Sequence, residues 1–330
     1  MRTTVLGGGS WGTALAHVCA GKGHAVTMLV RGDDAAREIT HNHTNEKYLP
    51  GCVIHSGVSA MTDPGAALRQ SDTVILAVPC QHMRAYLRGI ARFLPKNAAI
   101  VCASKGVERG SHALMSGILT DESSCHASRY AILSGPSFAR EVMASLPTAV
   151  VLGCRDRDLA ESLQQLLATP MFRVYSSSDV TGVECGGALK NVMALAAGIA
   201  DGLGFGHNSR AALITRGLAE MSRLGVALGG EAATFMGLSG MGDLVLTATG
   251  DLSRNRQVGL RIGRGESLDA IAASMHHVAE GVPTTEAAFD LASKRGIDLP
   301  ITGAMHAIIH GRTDPESAVR NLMGRTLKEE

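Results

Sequence analysis

The stretch that decides the fold is "VLGGGSWGTALA", residues 5–16. It carries Gly7-x-Gly9-x-x-Gly12 directly after a short apolar run and at the opening of a helical pattern. GxGxxG by itself is weak evidence, but strand, glycine loop, then helix at the head of a βαβ unit is the context that makes it informative. Each glycine has its own reason. Gly7 allows a tight turn, Gly9 leaves room for a pyrophosphate to approach the backbone, and Gly12 lets the helix pack close to the strand. The helix N-terminus then offers unpaired N–H groups and a partial positive charge to phosphate oxygens. A glycine-rich turn with no ligand is the competing reading.

Working outward, the first half of the chain alternates apolar runs with helical patterns. Strands are expected at 3–7, 25–30, 72–78, 98–103, 130–135 and 148–153, with helices such as 11–20, 81–92 and 156–168 between them. The runs are rich in Val, Ile and Leu on both faces, as parallel strands covered by helices are. The expected fold is therefore α/β, a doubly wound Rossmann-type sheet. After "SSSDVTG" (176–182) the strand pattern stops and helical patterns follow at 180–203, 208–227, 252–262, 280–295 and 300–310. The expected division is a dinucleotide-binding domain over 1–179 and an all-helical substrate domain over 180–330, as befits 330 residues.

Composition narrows the class. The chain is 45% apolar and 18% charged with a net charge of +1, which gives no reason to expect a nucleic acid or an anionic membrane as partner. No apolar run reads as long enough to span a bilayer, and the N-terminal run is too short for a signal peptide. A cytoplasmic protein is expected. The seven cysteines show no CxxC spacing and read as small buried residues. Among thirteen histidines the best metal pair is His306 and His310; no third ligand accompanies them, so no metal is expected.

Several residues carry chemistry. Where the second strand ends, dinucleotide sites that take NAD place an acid for the ribose; this chain has Arg31, which suits a 2′-phosphate. NADP(H) is expected to be preferred over NAD(H), although Asp33 and Asp34 follow closely and either can serve a ribose. In "CGGALKNVMALAAGIAD" (185–201), Lys190 is the one charged side chain before Asp201. On a helix it shares a face with Gly186, Gly187, Ala194 and Ala197, so a backbone or ligand can come close. On that face alone, a lysine snorkelling to water is as good a reading as one held inside. Asn191 is adjacent, and a second lysine, Lys105 in "ASKGVE", follows a strand end, where open α/β sheets bind ligands. A buried lysine near another cation is pushed toward the working range of a general acid or base. "LSGPSFARE" (133–141) offers Gly135 and Ser137, as substrate contacts or as a plain helix cap. "GDLSRNRQVG" (250–259) gathers Ser253, Arg254 and Asn255 at a helix start, either a phosphate site or a capped surface helix. Asp243 and Thr247 lie four apart on one helical face, with Asp243 placed to hold Lys190 or to accept from a substrate hydroxyl.

Together these segments resemble the soluble bacterial NAD(P)-dependent glycerol-3-phosphate dehydrogenases. The resemblance rests on "GGGSWGTALA", "ASKGVE", "LSGPSFAREV", "ECGGALKNVMALAAGIADGLGFGHNSRAALITRG" and "GLSGMGDLVLTATGDLSRNRQVG", and "VAEGVPTT" (278–285) extends it. The lysine–asparagine helix and the "SRN" loop are specific to that family; the glycine loop is not. The resemblance implies reduction of dihydroxyacetone phosphate, with Lys190 as catalytic acid/base and Lys105 shared by cofactor and substrate. It implies substrate contacts at Gly135, Ser137, Asp243, Ser253, Arg254 and Asn255. It implies cofactor contacts at Ser10, Trp11, Arg31, Ala139, Arg254, Val278 and Glu280. One departure is Val30, where many bacterial relatives carry Trp. It also implies a homodimer acting on a small phosphorylated triose. Two other readings compete: a β-hydroxyacid dehydrogenase acting on a carboxylate substrate, and a non-catalytic NADPH-binding sensor on the same fold.

Overall fold

The computed structural model describes residues 1–275 and 279–327. Eight strands form one sheet: β1 (Arg2–Leu6), β2 (Ala25–Leu29), β3 (Val58–Met61), β4 (Thr73–Leu76), β5 (Ala99–Cys102), β6 (Tyr130–Ser134), β7 (Thr148–Cys154) and β8 (Phe172–Ser177). Their order is β3-β2-β1-β4-β5-β6-β7-β8. The six expected strands are all present, and β3 and β8 are additional. Both lie at sheet edges, where one face meets solvent. β3 is only "VSAM", and β8, "FRVYSS", alternates buried and exposed residues before fraying into serines. Neither makes the continuous apolar run that marks a strand covered on both faces.

The doubly wound sheet is as expected, and the parallel pattern of its runs meets one exception. β1 to β6 are parallel, β7 runs antiparallel to β6, and β8 is again parallel to β7. A parallel return needs a crossover, usually a full helix. The link from Ser134 to Thr148 holds only the five-residue helix Ala139–Met143, whereas β7 and β8 are joined by the eleven-residue helix Arg157–Leu167. The strand interiors, among them Val5, Ile75, Ile100, Val101, Leu133 and Leu152, are fully buried. Leu6 registers with both Leu29 and Leu76, and Leu76 with Cys102. The loops after β1, β2, β4 and β5 therefore leave the same edge of the sheet. The strand order reverses at β1, so its loop sits at the switch point where such sheets bind ligands.

The chain divides into two compact units, 1–105 with 113–184, and 106–112 with 185–330. Residues 106–112 thus group with the helical unit, and the division after Glu184 falls inside the helix Val180–Gly202. In the helical unit that helix packs on Arg254–Gly263 through glycines spaced by four on both partners. A Cβ on Gly198 would sit 2.0 Å from the Arg256 carbonyl oxygen, and one on Gly202 2.4 Å from that of Leu260. A Cβ on Gly259 would sit 2.0 Å from the Leu195 carbonyl oxygen, and one on Gly263 2.4 Å from that of Ile199. Backbone meets backbone here, as in close-packed small-xxx-small helix pairs.

A correction concerns Val180–Gly202. Its 23 residues are long and apolar enough to cross a membrane by length and composition, contrary to the reading above. Its most apolar window is entirely buried inside the protein, so its lack of charge reflects packing on every side. Elsewhere in this unit Asp201 holds Arg210 and Arg256, with Arg256 Nε donating at 2.8 Å. Buried Glu220 caps the helix Pro300–Ile309 by accepting from Thr302 N and Thr302 Oγ1 at 3.0 and 2.9 Å. His306 stacks on Phe289 at 3.9 Å between ring centres, with His310 beside it.

Candidate functional site

In the sheet unit, the glycine loop has the geometry its spacing predicts. Gly7 has φ +114°, and a Cβ there would lie 2.5 Å from the Ala77 carbonyl oxygen. A Cβ on Gly12 would lie 2.2 Å from the Gly7 carbonyl oxygen, so loop and helix Ser10–Gly21 touch backbone to side. Gly9 differs: a Cβ there would meet no protein atom within 4 Å. Protein packing requires glycine at Gly7 and Gly12 and does not require it at Gly9, the position where a pyrophosphate needs room. This fits a dinucleotide. Gly9 caps the helix without any side-chain bond, and the first turn holds no acid, which leaves the N-terminal N–H groups for an anion. Trp11 is partly buried against the sheet's core.

Buried Asn45 pins this loop, donating to the Gly8 carbonyl oxygen at 3.0 Å and to Thr13 Oγ1 at 2.9 Å. Its sequence context, "HTNEK", carries no motif, so sequence reading missed it. At the end of β2, Asp33 Oδ1 accepts from Thr62 Oγ1 at 2.8 Å and Asp34 pairs with Arg37. Arg31 is exposed, and among the described residues no hydrogen bond or ion pair to protein engages it.

The ends of β5 and β6 bring Lys105, Gly135 and Ser137 together. The Gly135 carbonyl oxygen accepts from Lys105 Nζ at 3.3 Å and from Ser137 Oγ at 3.0 Å. Gly135 has φ +128°, and a Cβ there would lie 2.9 Å from the Val150 Cα, so the loop can turn only with glycine. Phe138, not Ser137, caps the short helix that starts at Ala139, and it does so without a side-chain bond. The plain-cap reading of Ser137 is thereby set aside. Glu184 was also missed by sequence reading. It is buried and accepts from Ser116 N, Ser116 Oγ and Tyr130 Oη at 2.8, 2.7 and 2.6 Å. Burial pushes its carboxyl up despite those three donors. The signal was a lone carboxylate in the first turns of an otherwise apolar helix.

In the helical unit, Lys190 is held inside: 7% of its surface is exposed. Its Nζ donates to Asp243 Oδ1 and, at 2.9 Å, to Thr247 Oγ1. Asp243 and Thr247 share one face of the helix Asp243–Thr249, and Thr247 Oγ1 also donates to the Asp243 carbonyl oxygen at 2.6 Å. A π-helical turn, Leu238–Gly242, leads into that helix. Gly186 lets it come close, because a Cβ there would lie 2.6 Å from the Ser239 carbonyl oxygen. The small-residue face read from the sequence therefore admits a backbone. A carboxylate and a hydroxyl thus lie at hydrogen-bond distance from Lys190 Nζ.

Next to it, Asn255 Nδ2 donates to Asn191 Oδ1 at 2.8 Å, and Asn255 Oδ1 accepts from Gly281 N at 2.8 Å. The two amides thus join three helices. Ser253 caps the helix Arg254–Gly263 by accepting from Arg256 N at 3.2 Å. The capped-helix reading of Ser253 holds, and its hydroxyl proton is still available to a further acceptor. Arg254 is exposed. Although water reaches the side chain, the protein around it lowers the guanidinium pKa by desolvation while Glu280 acts the other way, and an arginine keeps its charge through such a shift. Glu280 precedes the helix Gly281–Arg295. Val278 lies outside the described residues.

A switch-point glycine loop on a mostly parallel sheet, followed by a helical unit, defines the class of Rossmann-type nicotinamide-nucleotide dehydrogenases. Residues 2–160 match the family NAD-dependent glycerol-3-phosphate dehydrogenase N-terminus, and residues 179–320 match NAD-dependent glycerol-3-phosphate dehydrogenase C-terminus. The chain is 56% identical to glycerol-3-phosphate dehydrogenase [NAD(P)+] of Nitratidesulfovibrio vulgaris, with all of both chains covered, and 56% identical to that of Oleidesulfovibrio alaskensis over the same share. The crystal structure of glycerol-3-phosphate dehydrogenase from Coxiella burnetii superposes with a TM-score of 0.93 at 38% identity, covering 98% of this chain and 99% of that one. The chain belongs to the NAD-dependent glycerol-3-phosphate dehydrogenase family. The carboxylate-substrate and sensor readings are not favoured.

Proposed function

We propose that this protein reduces dihydroxyacetone phosphate to sn-glycerol 3-phosphate, reversibly, and so supplies glycerophospholipid synthesis. The observation that carries the mechanism is the buried Lys190 ammonium, fixed by Asp243 and Thr247. When bound, the nicotinamide supplies hydride to the carbonyl carbon, C2. As C2 is reduced, its oxygen gains an electron pair, and Lys190 Nζ gives that oxygen a proton. Asp243 and Thr247 keep Nζ in one place until transfer, which spares reorganisation at the moment of reaction. The neutral amine regains a proton from solvent for the next cycle. Lys105, held by the Gly135 carbonyl, orients the carbonyl oxygen with Asn191. Arg254, Ser253 and Asn255, with the N–H groups of a capped helix start, take the phosphate. Asn255 does this while its amide is tied to Asn191 and Gly281.

NADP(H) is the preferred cofactor in this reading because Asp33 and Asp34 are engaged by Thr62 and Arg37 while Arg31 faces solvent. The residues that would hold the cofactor are Gly7, Gly9, Ser10, Trp11, Gly12, Arg31, Lys105, Ala139, Arg254, Val278 and Glu280. The protein acts as a cytoplasmic homodimer in this reading.

The test is a steady-state assay following NADPH absorbance with dihydroxyacetone phosphate, repeated with NADH and with Lys190→Ala. Rapid oxidation of NADPH, slower oxidation of NADH, and a kcat lowered about 10²-fold or more in Lys190→Ala are expected. Equal rates with both cofactors would remove the Arg31 argument. Near-parental turnover in the variant would remove the role of Lys190. No oxidation by a folded parent that binds NADPH would overturn the reaction.

A further inference from the structure

Residues 106–112 leave β5 immediately after Lys105, pack with the helical unit, and return to the sheet unit at Ala113. They form a tight turn in which His112 N donates to the Glu108 carbonyl oxygen at 3.0 Å and Ser111 Oγ donates to the Glu108 carboxylate. Gly110 and His112 both have positive φ, +80° and +58°. The turn docks on one face of the helix Gly281–Arg295, where Glu286, Asp290 and Lys294 recur every four residues. Arg109 Nη1 donates to Glu286 Oε2 at 3.0 Å. His112 Nε2 lies 3.7 Å from Asp290 Oδ2, and Lys294 Nζ lies 3.4 Å from His112 Nδ1. The same helix begins at Gly281, whose N–H donates to Asn255 Oδ1. Between the turn and Lys105 stands Gly106, with φ +157°, a backbone setting that only glycine adopts readily. On one side Lys105 Nζ donates to the Gly135 carbonyl oxygen; on the other the chain runs through Gly106 straight into the turn, so what holds the turn bears on Lys105 as well.

We propose that Arg109 and Glu286, with His112 on Asp290 beside them, are positioning residues for Lys105. They clamp the segment that follows it to the helix whose first residue is bonded to Asn255. None of the four touches a reacting atom in this account. The clamp's kinetic consequence rests on the reaction proposed above; its structural consequence does not. Arg109 is more than half exposed in this pair, so the effect is modest.

The experiment is a charge-reversal cycle on the full-length protein: Arg109→Glu, Glu286→Arg and the double variant. Arg157→Glu, in an exposed pair on a separate helix, is the control. Each single reversal is expected to raise KM for dihydroxyacetone phosphate about threefold or more with a smaller change in kcat, and the double variant to recover most of it. A second readout needs no turnover: the rate at which the Lys105 amine is reductively methylated, followed by mass spectrometry, should change in each single variant and return in the double. Parental KM and parental Lys105 reactivity in both single variants would overturn the clamp. Losses that add in the double variant, with melting temperature falling alongside, would overturn it too, because they mark a merely structural contact. If the parent itself shows no turnover, the reaction fails, and the methylation rates still decide the clamp.

Discussion

At the glycine loop, three residues of one type do three different things, and the distances separate them. Gly12→Ala places a methyl 2.2 Å from a carbonyl oxygen and is expected to destabilise the sheet unit by about 1–3 kcal/mol through overpacking. Gly9→Ala meets no protein atom. It is expected to change stability by no more than about 0.5 kcal/mol, while weakening NADPH binding. Thermal melts with and without NADPH read both effects. An unimpaired NADPH affinity in Gly9→Ala would show that no phosphate approaches there. Lys190 makes the complementary point. Its helix and its small-residue face are legible along the chain, but Asp243, which holds it, is 53 residues away. The small-residue face alone left snorkelling and burial equally open, because both leave the same local pattern; the neighbouring motifs and the family resemblance were what pointed to burial.

Among the helices, the crossing of Val180–Gly202 and Arg254–Gly263 places the chemistry. Four glycines let the two backbones meet, and that contact carries Ser253 and Asn255 to the neighbourhood of Asn191. Gly198→Ala would put a methyl 2.0 Å from the Arg256 carbonyl oxygen. It is expected to cost about 1–3 kcal/mol in chemical denaturation and to lower activity, although residue 198 is not one of the proposed site residues. Parental stability in Gly198→Ala would mean the helices can separate freely at no loss. The long helices and the six central strands could be read from periodicity, because each is covered on enough faces to print a pattern. The edge strands β3 and β8 could not, since a strand half in water shares its composition with loops. The reversed direction of β7 was equally hidden, because antiparallel and parallel strands in a covered sheet have the same apolar run; only the short connection hinted at it.

Over the molecule as a whole, each unit buries a carboxyl group that the reaction does not use, Glu184 in the first and Glu220 in the second. Burial raises both above the ordinary value of 4.5. In the unfolded chain they release their protons near that value, while the folded protein keeps them to higher pH. The folded state therefore binds more protons in that window, and stability falls as pH rises through it. Below the unfolded value the contribution is present in full. Melting temperatures from pH 4 upward, in about one-unit steps, should show that decline, and Glu184→Gln should flatten part of it. An unchanged slope in the variant would mean that Glu184 ionises in the folded protein as it does in the unfolded chain.

By itself the sequence determined the things that depend on neighbours along the chain. These are the strand–glycine loop–helix opening, the Val- and Ile-rich strands, the long helices of the second half, and the residue types a phosphate or a hydride acceptor needs. Helical and strand periodicities and turn chemistry act over a few residues, so they are written locally. Tertiary structure alone decided who partners whom. It set Asp243 and Thr247 on Lys190, tied Asn255 between Asn191 and Gly281, gave Glu184 its three donors, and laid the turn after Lys105 on Glu286 and Asp290. The reason is physical: a buried charge is stable only beside a group that compensates it, and which group arrives is settled by how distant helices pack, not by any spacing in the chain.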